Sequence, residues 1–174
     1  RPLVLTADRG RGKSAALGLA AAQLLREGPI HIEVVAPRPA AVAPLFDACR
    51  RALGLDGQGW AIHHQGSSLK YRAPTAISNP PSPVDLLLVD EAAALPVPLL
   101  RSLLKANGRV VFSTTLHGYE GTGQGFNIRF RGILDREAKG WRACHLTMPI
   151  RWAEGDPLEA FIDAALLLDA QASA

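Results

Sequence analysis

The sequence predicts an α/β domain with a mostly parallel sheet and helices on both faces. Three observations carry this reading. Short apolar runs alternate with longer helix-like segments along the chain, which is the order of β–α units that build a parallel sheet. One run, Leu86-Leu87-Leu88-Val89, is apolar without alternation, as a strand covered on both faces must be. The first run is joined to the first helix by a loop rich in small residues, Ala7 to Ser14, with a spacing that cradles phosphate.

In chain order, Leu3-Val4-Leu5 is a buried strand before that loop. Ser14 to Arg26 is rich in Ala and Leu and helical, and Gly28-Pro29 stops it. Ile30 to Ala36 is a strand ended by Pro37, and Ala40 to Leu53 a helix closed near Gly54. Trp60 to His63 is a third strand, and Tyr71 to Pro83, with four prolines, a loop. Asp85 to Val89 is the most apolar strand. Pro98 to Ala106 fits a helix with Pro in its first turn and Asn107-Gly108 at its end. Val110 to Phe112 is a strand, His117 to Gly125 a Gly-rich loop, Ile128 to Lys139 a basic helix and Trp141 to Leu146 a strand. Asp156-Pro157-Leu158-Glu159 opens a last helix, with Asp156 as N-cap, Pro157 at the first helical position and Glu159 completing a capping box.

The 174 residues suit one domain with a sizeable core, since 48% are hydrophobic and 20% charged. No apolar run approaches the ~18 residues of a membrane helix, and no secretory leader opens the chain. A cytoplasmic protein is expected. The start at Arg1-Pro2, without Met, suggests a segment of a longer multidomain protein. The net charge of +3 and pI of about 9.2 mildly favour a polyanionic partner. Cys49 and Cys144 have no metal-like spacing and read as reduced thiols in or near the core. The histidines show no ligand spacing; His63 and His64 would point apart in a strand.

Ala7-Asp8-Arg9-Gly10-Arg11-Gly12-Lys13-Ser14 is the G-x-x-x-x-G-K-[ST] pattern with Ala in first place. Small residues let backbone N–H groups converge on phosphate oxygens, and the following helix turns its positive end to the same anion. The nucleotide-binding candidates are therefore Asp8, Arg9, Gly10, Arg11, Gly12, Lys13, Ser14 and Ala15. Lys13 would reach the β- and γ-phosphates of ATP, and the Ser14 hydroxyl would bind Mg²⁺. The strand end Asp90-Glu91 supplies the second half: Asp90 for Mg²⁺ and Glu91 to polarise the attacking water. Lys13 and Glu91 are the catalytic candidates. Together these features specify a P-loop nucleoside-triphosphatase of the RecA-like kind.

Ser113-Thr114-Thr115 follows a strand and either hydrogen-bonds the γ-phosphate or the acidic pair, or merely finishes a turn. In the Gly-rich loop, Tyr119 and Phe126 either stack on bases or anchor the core. Arg129, Arg131, Arg136, Lys139 and Arg142 form a basic run, readable as a phosphate-facing surface or as a solvated helix face. Arg151, in Pro149-Ile150-Arg151-Trp152, follows a strand end and can reach the nucleotide.

In family order and from one end of the chain to the other, these stretches resemble the helicase-like ATPase module of tRNA(Met) cytidine acetyltransferase. The resemblance rests on Thr6 to Ser14, Val89-Asp90-Glu91-Ala92-Ala93-Ala94-Leu95-Pro96, Ser113-Thr114-Thr115, Gly118-Tyr119-Glu120-Gly121-Thr122-Gly123-Gln124-Gly125-Phe126, Pro149-Ile150-Arg151-Trp152 and Gly155-Asp156-Pro157-Leu158-Glu159. The Gly-Tyr-Glu-Gly-Thr-Gly loop and the Pro-Ile-Arg-Trp segment are its most specific parts. It implies an ATP-driven, RNA-handling module of an enzyme that places an N4-acetyl group on the wobble cytidine of elongator tRNA(Met). It also implies that Arg151 contacts ATP. Asp8 departs from the family, which often carries Gly there; altered loop stiffness is expected, not lost binding.

One RecA-like sheet with its helices uses essentially all 174 residues. Acetyl-CoA and the acetyltransferase domain therefore belong to the rest of the parent protein, and no Gln/Arg-x-x-Gly-x-Gly/Ala segment appears here. The alternative is one lobe of a processive DNA or RNA helicase, which needs a second lobe that 174 residues with one P-loop do not hold.

Overall fold

A computed structural model of the chain describes residues 1–8, 10–77, 83–115 and 122–147, with 122–129 described by backbone alone. The elements are β1 Leu3–Ala7, α1 Lys13–Glu27, β2 His31–Val35, α2 Ala43–Leu53, β3 Ala61–His64, β4 Ser67–Arg72, β5 Leu86–Val89, α3 Val97–Ala106, β6 Val110–Thr115, α4 Thr122–Glu137 and β7 Arg142–Leu146. The strands form a seven-stranded sheet in the order β3-β4-β2-β5-β6-β1-β7. Every neighbouring pair is parallel except β3 with β4.

Alternation of side chains along each strand sorts the apolar residues into two cores. Val4 joins Val35, Leu87, Val89 and Phe112 beneath Leu100 and Leu103 of α3 and Phe130 and Leu134 of α4. Its neighbour Leu5 joins Ile32, Val34 and Leu88 beneath Leu17 and Leu25 of α1 and Phe46 of α2. Helices therefore cover both faces, and the continuous apolar run of β5 follows from that. Phe112 and Phe130 meet edge to face at 4.7 Å between ring centroids, a favoured aromatic geometry.

Several boundaries differ from the sequence reading. The segment Ala40 to Leu53 begins as a 3-10 turn, Pro39–Val42, before α2. The third strand is shifted to Ala61–His64, and it opens a hairpin whose return strand, β4, takes Tyr71 and Arg72 out of the expected loop. Gln65 (φ 47°) and Gly66 (φ 83°) make its two-residue turn, the left-handed pair that hairpins favour. Thr122 to Gly125, read as loop, form the first turn of α4. Residues 116–121 and the final helix lie outside the described residues. The end of α3 agrees with the reading: Asn107 of the Asn107-Gly108 pair is its C-cap, with its side-chain amide donating to the Leu103 carbonyl and its Oδ1 accepting from the Val84 N–H. Cys144 is exposed on β7, unlike the near-core thiol expected, and among the described residues no strand pairs beyond it. Cys49 is buried, and burial pushes its thiol up to about 11.

The α1–α2 contact depends on one glycine. A Cβ on Gly18 would lie 2.1 Å from the Leu45 carbonyl oxygen. Ala would gain ~1 kcal/mol of helix propensity. The clash is with backbone, however, so α1 and α2 would have to separate, and overpacking of that kind costs about 1–3 kcal/mol. A 2.1 Å approach to backbone puts the cost at the upper end of that range, so the net loss is roughly 2 kcal/mol and Gly18→Ala is expected to lower the melting temperature by about 4–8 °C for a domain of this size. An unchanged or raised melting temperature would show that the helices are not this close.

Candidate functional site

The site lies where parallel strands end together. The backbone must turn sharply from β1 into α1, and two glycines allow it: Gly10 has φ 81° and Gly12 φ 74°, a region that L side chains resist. Gly12 is the N-cap of α1, and its carbonyl accepts the Ala16 N–H at 2.8 Å. Lys13, Ser14 and Ala15 are consequently the first residues of the helix, where unpaired N–H groups and the helix dipole favour an anion.

Asp90 follows β5. It is 1% exposed, its N–H donates to the Val35 carbonyl at 2.8 Å, and its Oδ1 accepts the Glu91 N–H at 3.0 Å. Its other oxygen, Oδ2, is buried without a hydrogen-bond partner among the described residues. Glu91 is exposed and adopts φ 50°, ψ 45°. That left-handed conformation is unusual for a residue with a Cβ, and such outliers gather at functional positions.

A cleft of about 480 Å³ joins the two strand ends. Of the sequence candidates, Gly10, Gly12, Lys13, Ser14, Ala15, Asp90, Glu91 and Thr115 line it. Asp8 and Arg11 do not, and Arg9 and Arg151 lie outside the described residues. The Lys13 ammonium donates to the Ala7 and Asp8 carbonyls, both at 3.4 Å. Burial lowers its pKa, against the opposing pull of the Asp90, Asp8 and Glu91 carboxylates.

Of the three hydroxyl residues, only Thr115 lines the cleft. Thr114 is buried. Ser113 follows Phe112, the partner of Val89, just as Asp90 follows Val89, and its buried hydroxyl lacks a hydrogen-bond partner among the described residues. The cleft also takes in Arg38, Ala40 and Ala41 from the connection after β2 and Pro44 from the first turn of α2, which the sequence reading passed over. The available signal was Pro37-Arg38-Pro39 directly after a parallel strand, at the edge where such sheets bind ligands.

In the basic run, Arg131, Arg136, Lys139 and Arg142 are exposed. The Arg131 guanidinium lies 5.9 Å from the Trp141 ring centroid, and Trp141 donates its indole N–H to Asp135 at 2.8 Å. Glu137 is engaged by Arg101 and Lys105, so it does not neutralise the run. Arg129 is placed on α4 by its backbone. None of the helices, among the described residues, is long and apolar enough to cross a membrane.

Comparison with known proteins agrees with this architecture. Two structures of the large terminase of a thermophilic bacteriophage share the fold. The one in complex with ATP-gamma-S has a TM-score of 0.58 at 14% identity, covering 92% of this chain and 43% of that one. The other has a TM-score of 0.56 at 12% identity, covering 84% and 40%. Among curated relatives, the tRNA(Met) cytidine acetyltransferase TmcA of Nitrosococcus halophilus is 51% identical over 99% of this chain and 23% of its own length. Those of Vibrio cholerae and Haloferax volcanii are 48% and 44% identical, over 98% and 97% of this chain and 24% and 23% of their own lengths. The chain thus spans about a quarter of the length of these relatives. The family model described as RNA cytidine acetyltransferase NAT10/TcmA, helicase domain, matches residues 4–169. The chain belongs to that family, as its helicase domain.

Proposed function

We propose that this domain binds ATP with Mg²⁺ and hydrolyses it to remodel RNA, as one module of an enzyme that acetylates the wobble cytidine of elongator tRNA(Met). The observation that carries the reading is the cleft itself. It brings the anion-favouring start of α1 together with Asp90 and Glu91, in a chain that matches the helicase domain along nearly its whole length.

The Gly10–Ala15 backbone and the α1 N-terminus hold the phosphates. On nucleotide binding, Lys13 gives up the Ala7 and Asp8 carbonyls for phosphate oxygens. Ser14 and the free Oδ2 of Asp90 suit Mg²⁺, a hard cation that takes one or two protein oxygens and completes its shell with phosphate and water. Held there, the ion would supply neutralisation of the charge on the β- and γ-phosphates. Glu91, exposed and held outward by its left-handed backbone, polarises the attacking water. Arg151 adds a donor to the phosphates, and the exposed Arg131, Arg136, Lys139 and Arg142 meet RNA phosphates. Acetyl transfer takes place in the rest of the parent chain, with acetyl-CoA.

The experiments follow from these roles. Glu91→Gln keeps the side-chain shape without the base, so ATP binding is expected to survive while turnover falls about 10²-fold. Hydrolysis at the native rate would make Glu91 a structural cap.

Lys13→Ala is expected to weaken ATP at least about tenfold, the scale of one charge-assisted bond. Unchanged affinity by calorimetry would overturn the site. The same lysine makes a second expectation. A lowered pKa means that the folded chain disfavours the protonated form, so at any pH below that pKa the buried charge costs stability. Lys13→Met, which keeps the stem and removes the charge, is expected to raise the melting temperature of the nucleotide-free chain while weakening ATP. A lower melting temperature would contradict the burial argument.

A further inference from the structure

Arg38 was not among the residues chosen from the sequence, yet it is held at the cleft with unusual firmness. β2 ends at Val35, whose carbonyl is bound by the Asp90 N–H at 2.8 Å, and the next carbonyl, that of Ala36, accepts the Tyr71 hydroxyl at 3.2 Å. Pro37 and Pro39 then flank Arg38. A residue before proline is confined to extended backbone, and Arg38 has φ −150° and ψ 152°. Its side chain is exposed, and it makes no hydrogen bond or ion pair among the described residues. The backbone is fixed while the guanidinium is left available.

Strand order says which part of a nucleotide lies nearby. The order β2-β5-β6-β1 sets the phosphate loop after β1 at one side of the cleft, Asp90 and Glu91 after β5 in the middle, and Arg38 after β2 beyond them. A triphosphate held by Gly10–Ser14 would bring its terminal phosphate toward Lys13 and the acidic pair, which share the cleft. That phosphate then faces two carboxylates. Among the described residues that line the cleft, only Lys13 and Arg38 are cationic, and they follow β1 and β2, the two ends of the β2-β5-β6-β1 order.

Resting on the ATP-site reading above, we infer that Arg38 is a nucleotide-binding residue that grips the terminal phosphate and distinguishes ATP from ADP. Its planar fork suits two phosphate oxygens at once, which a lysine ammonium does not match. The proline-framed backbone lowers the ordering cost on binding. ADP lacks the group that Arg38 reaches, so the contact is selective for the triphosphate.

The test is calorimetric titration of the chain with ATP-γ-S and with ADP, both with Mg²⁺, for the unchanged protein, Arg38→Ala and Arg38→Lys. Arg38→Ala is expected to weaken ATP-γ-S about tenfold or more and ADP less than about twofold, with Arg38→Lys between. The melting temperature of the nucleotide-free chain is expected to stay the same, because the Arg38 side chain makes no bond or ion pair among the described residues. Equal losses for the two nucleotides, or no loss for either, would overturn the inference. So would weakened binding of single-stranded RNA with ATP-γ-S affinity intact, which would make Arg38 an RNA contact. If the unchanged chain binds neither nucleotide, the ATP-site reading fails and Arg38 with it; if it binds both and Arg38→Ala does not discriminate, only the role of Arg38 fails.

Discussion

Parallel pairing in register is the constraint on which the rest of this molecule depends. Because β1, β6, β5 and β2 all run the same way, their carboxyl ends emerge on one edge of the sheet. Ala7 is paired with Thr115, and Val89 with Phe112 and Val35. The residues after these pairs are therefore the P-loop, Asp90-Glu91 and the Pro37-Arg38-Pro39 connection. The chemistry is assembled from segments as far apart in sequence as Lys13 and Thr115, yet no long-range side-chain contact is needed to gather them. The two cores do that work, through apolar side chains alternating to α1 and α2 on one face and α3 and α4 on the other.

That edge is also where the fold departs from its lowest-energy habits. Glu91 occupies left-handed backbone without being glycine. Asp90 Oδ2 and the Ser113 hydroxyl are buried without partners among the described residues, where an unmade hydrogen bond costs about 1–3 kcal/mol each. Lys13 is desolvated, against the preference of its charge. Elsewhere the buried polar groups described are satisfied: Arg50 donates to the Gly59 and Ala61 carbonyls, and Ser67 to that of Gly28. Gln65 in the β3–β4 turn is also left-handed, but the unpartnered polar atoms of Asp90 and Ser113 and the desolvated lysine gather at this one edge, in keeping with the proposed ligand site.

Legibility in the sequence followed the same division. The unalternating β5 and the glycine loop before α1 were readable because burial on both faces and a positive φ each leave a compositional mark. β4 was not. Ser67-Ser68-Leu69-Lys70-Tyr71-Arg72 offers few apolar residues, since it covers one core through Leu69 and Tyr71 and leaves Lys70 exposed; the Gln65-Gly66 turn was the overlooked signal. The start of α4 was hidden for the opposite reason. Thr122-Gly123-Gln124-Gly125 has the composition of a loop, and glycine propensity argues against a helix by ~1 kcal/mol per residue, yet the helix holds them. Arg38 joined the cleft lining only through strand order. No local pattern states that order, because it is decided by which apolar strands pair at long range.

The charges that line the cleft explain why a metal belongs to the proposed reaction. Lys13 and Arg38 oppose Asp90 and Glu91, so the described lining is balanced before any nucleotide arrives. ATP would bring several negative charges into this balance, and its terminal phosphates would face the two carboxylates. In a partly desolvated cleft such repulsion is screened less than in water. The α1 dipole contributes only about half a unit charge, and Lys13 is already counted. A divalent cation held by Asp90 would make the nearest carboxylate a ligand where it would otherwise repel the phosphates. The unpartnered oxygen of Asp90 and the charge-balanced lining thus support one feature of the proposed reading: a nucleotide would enter this cleft with its counter-ion and not as a bare anion.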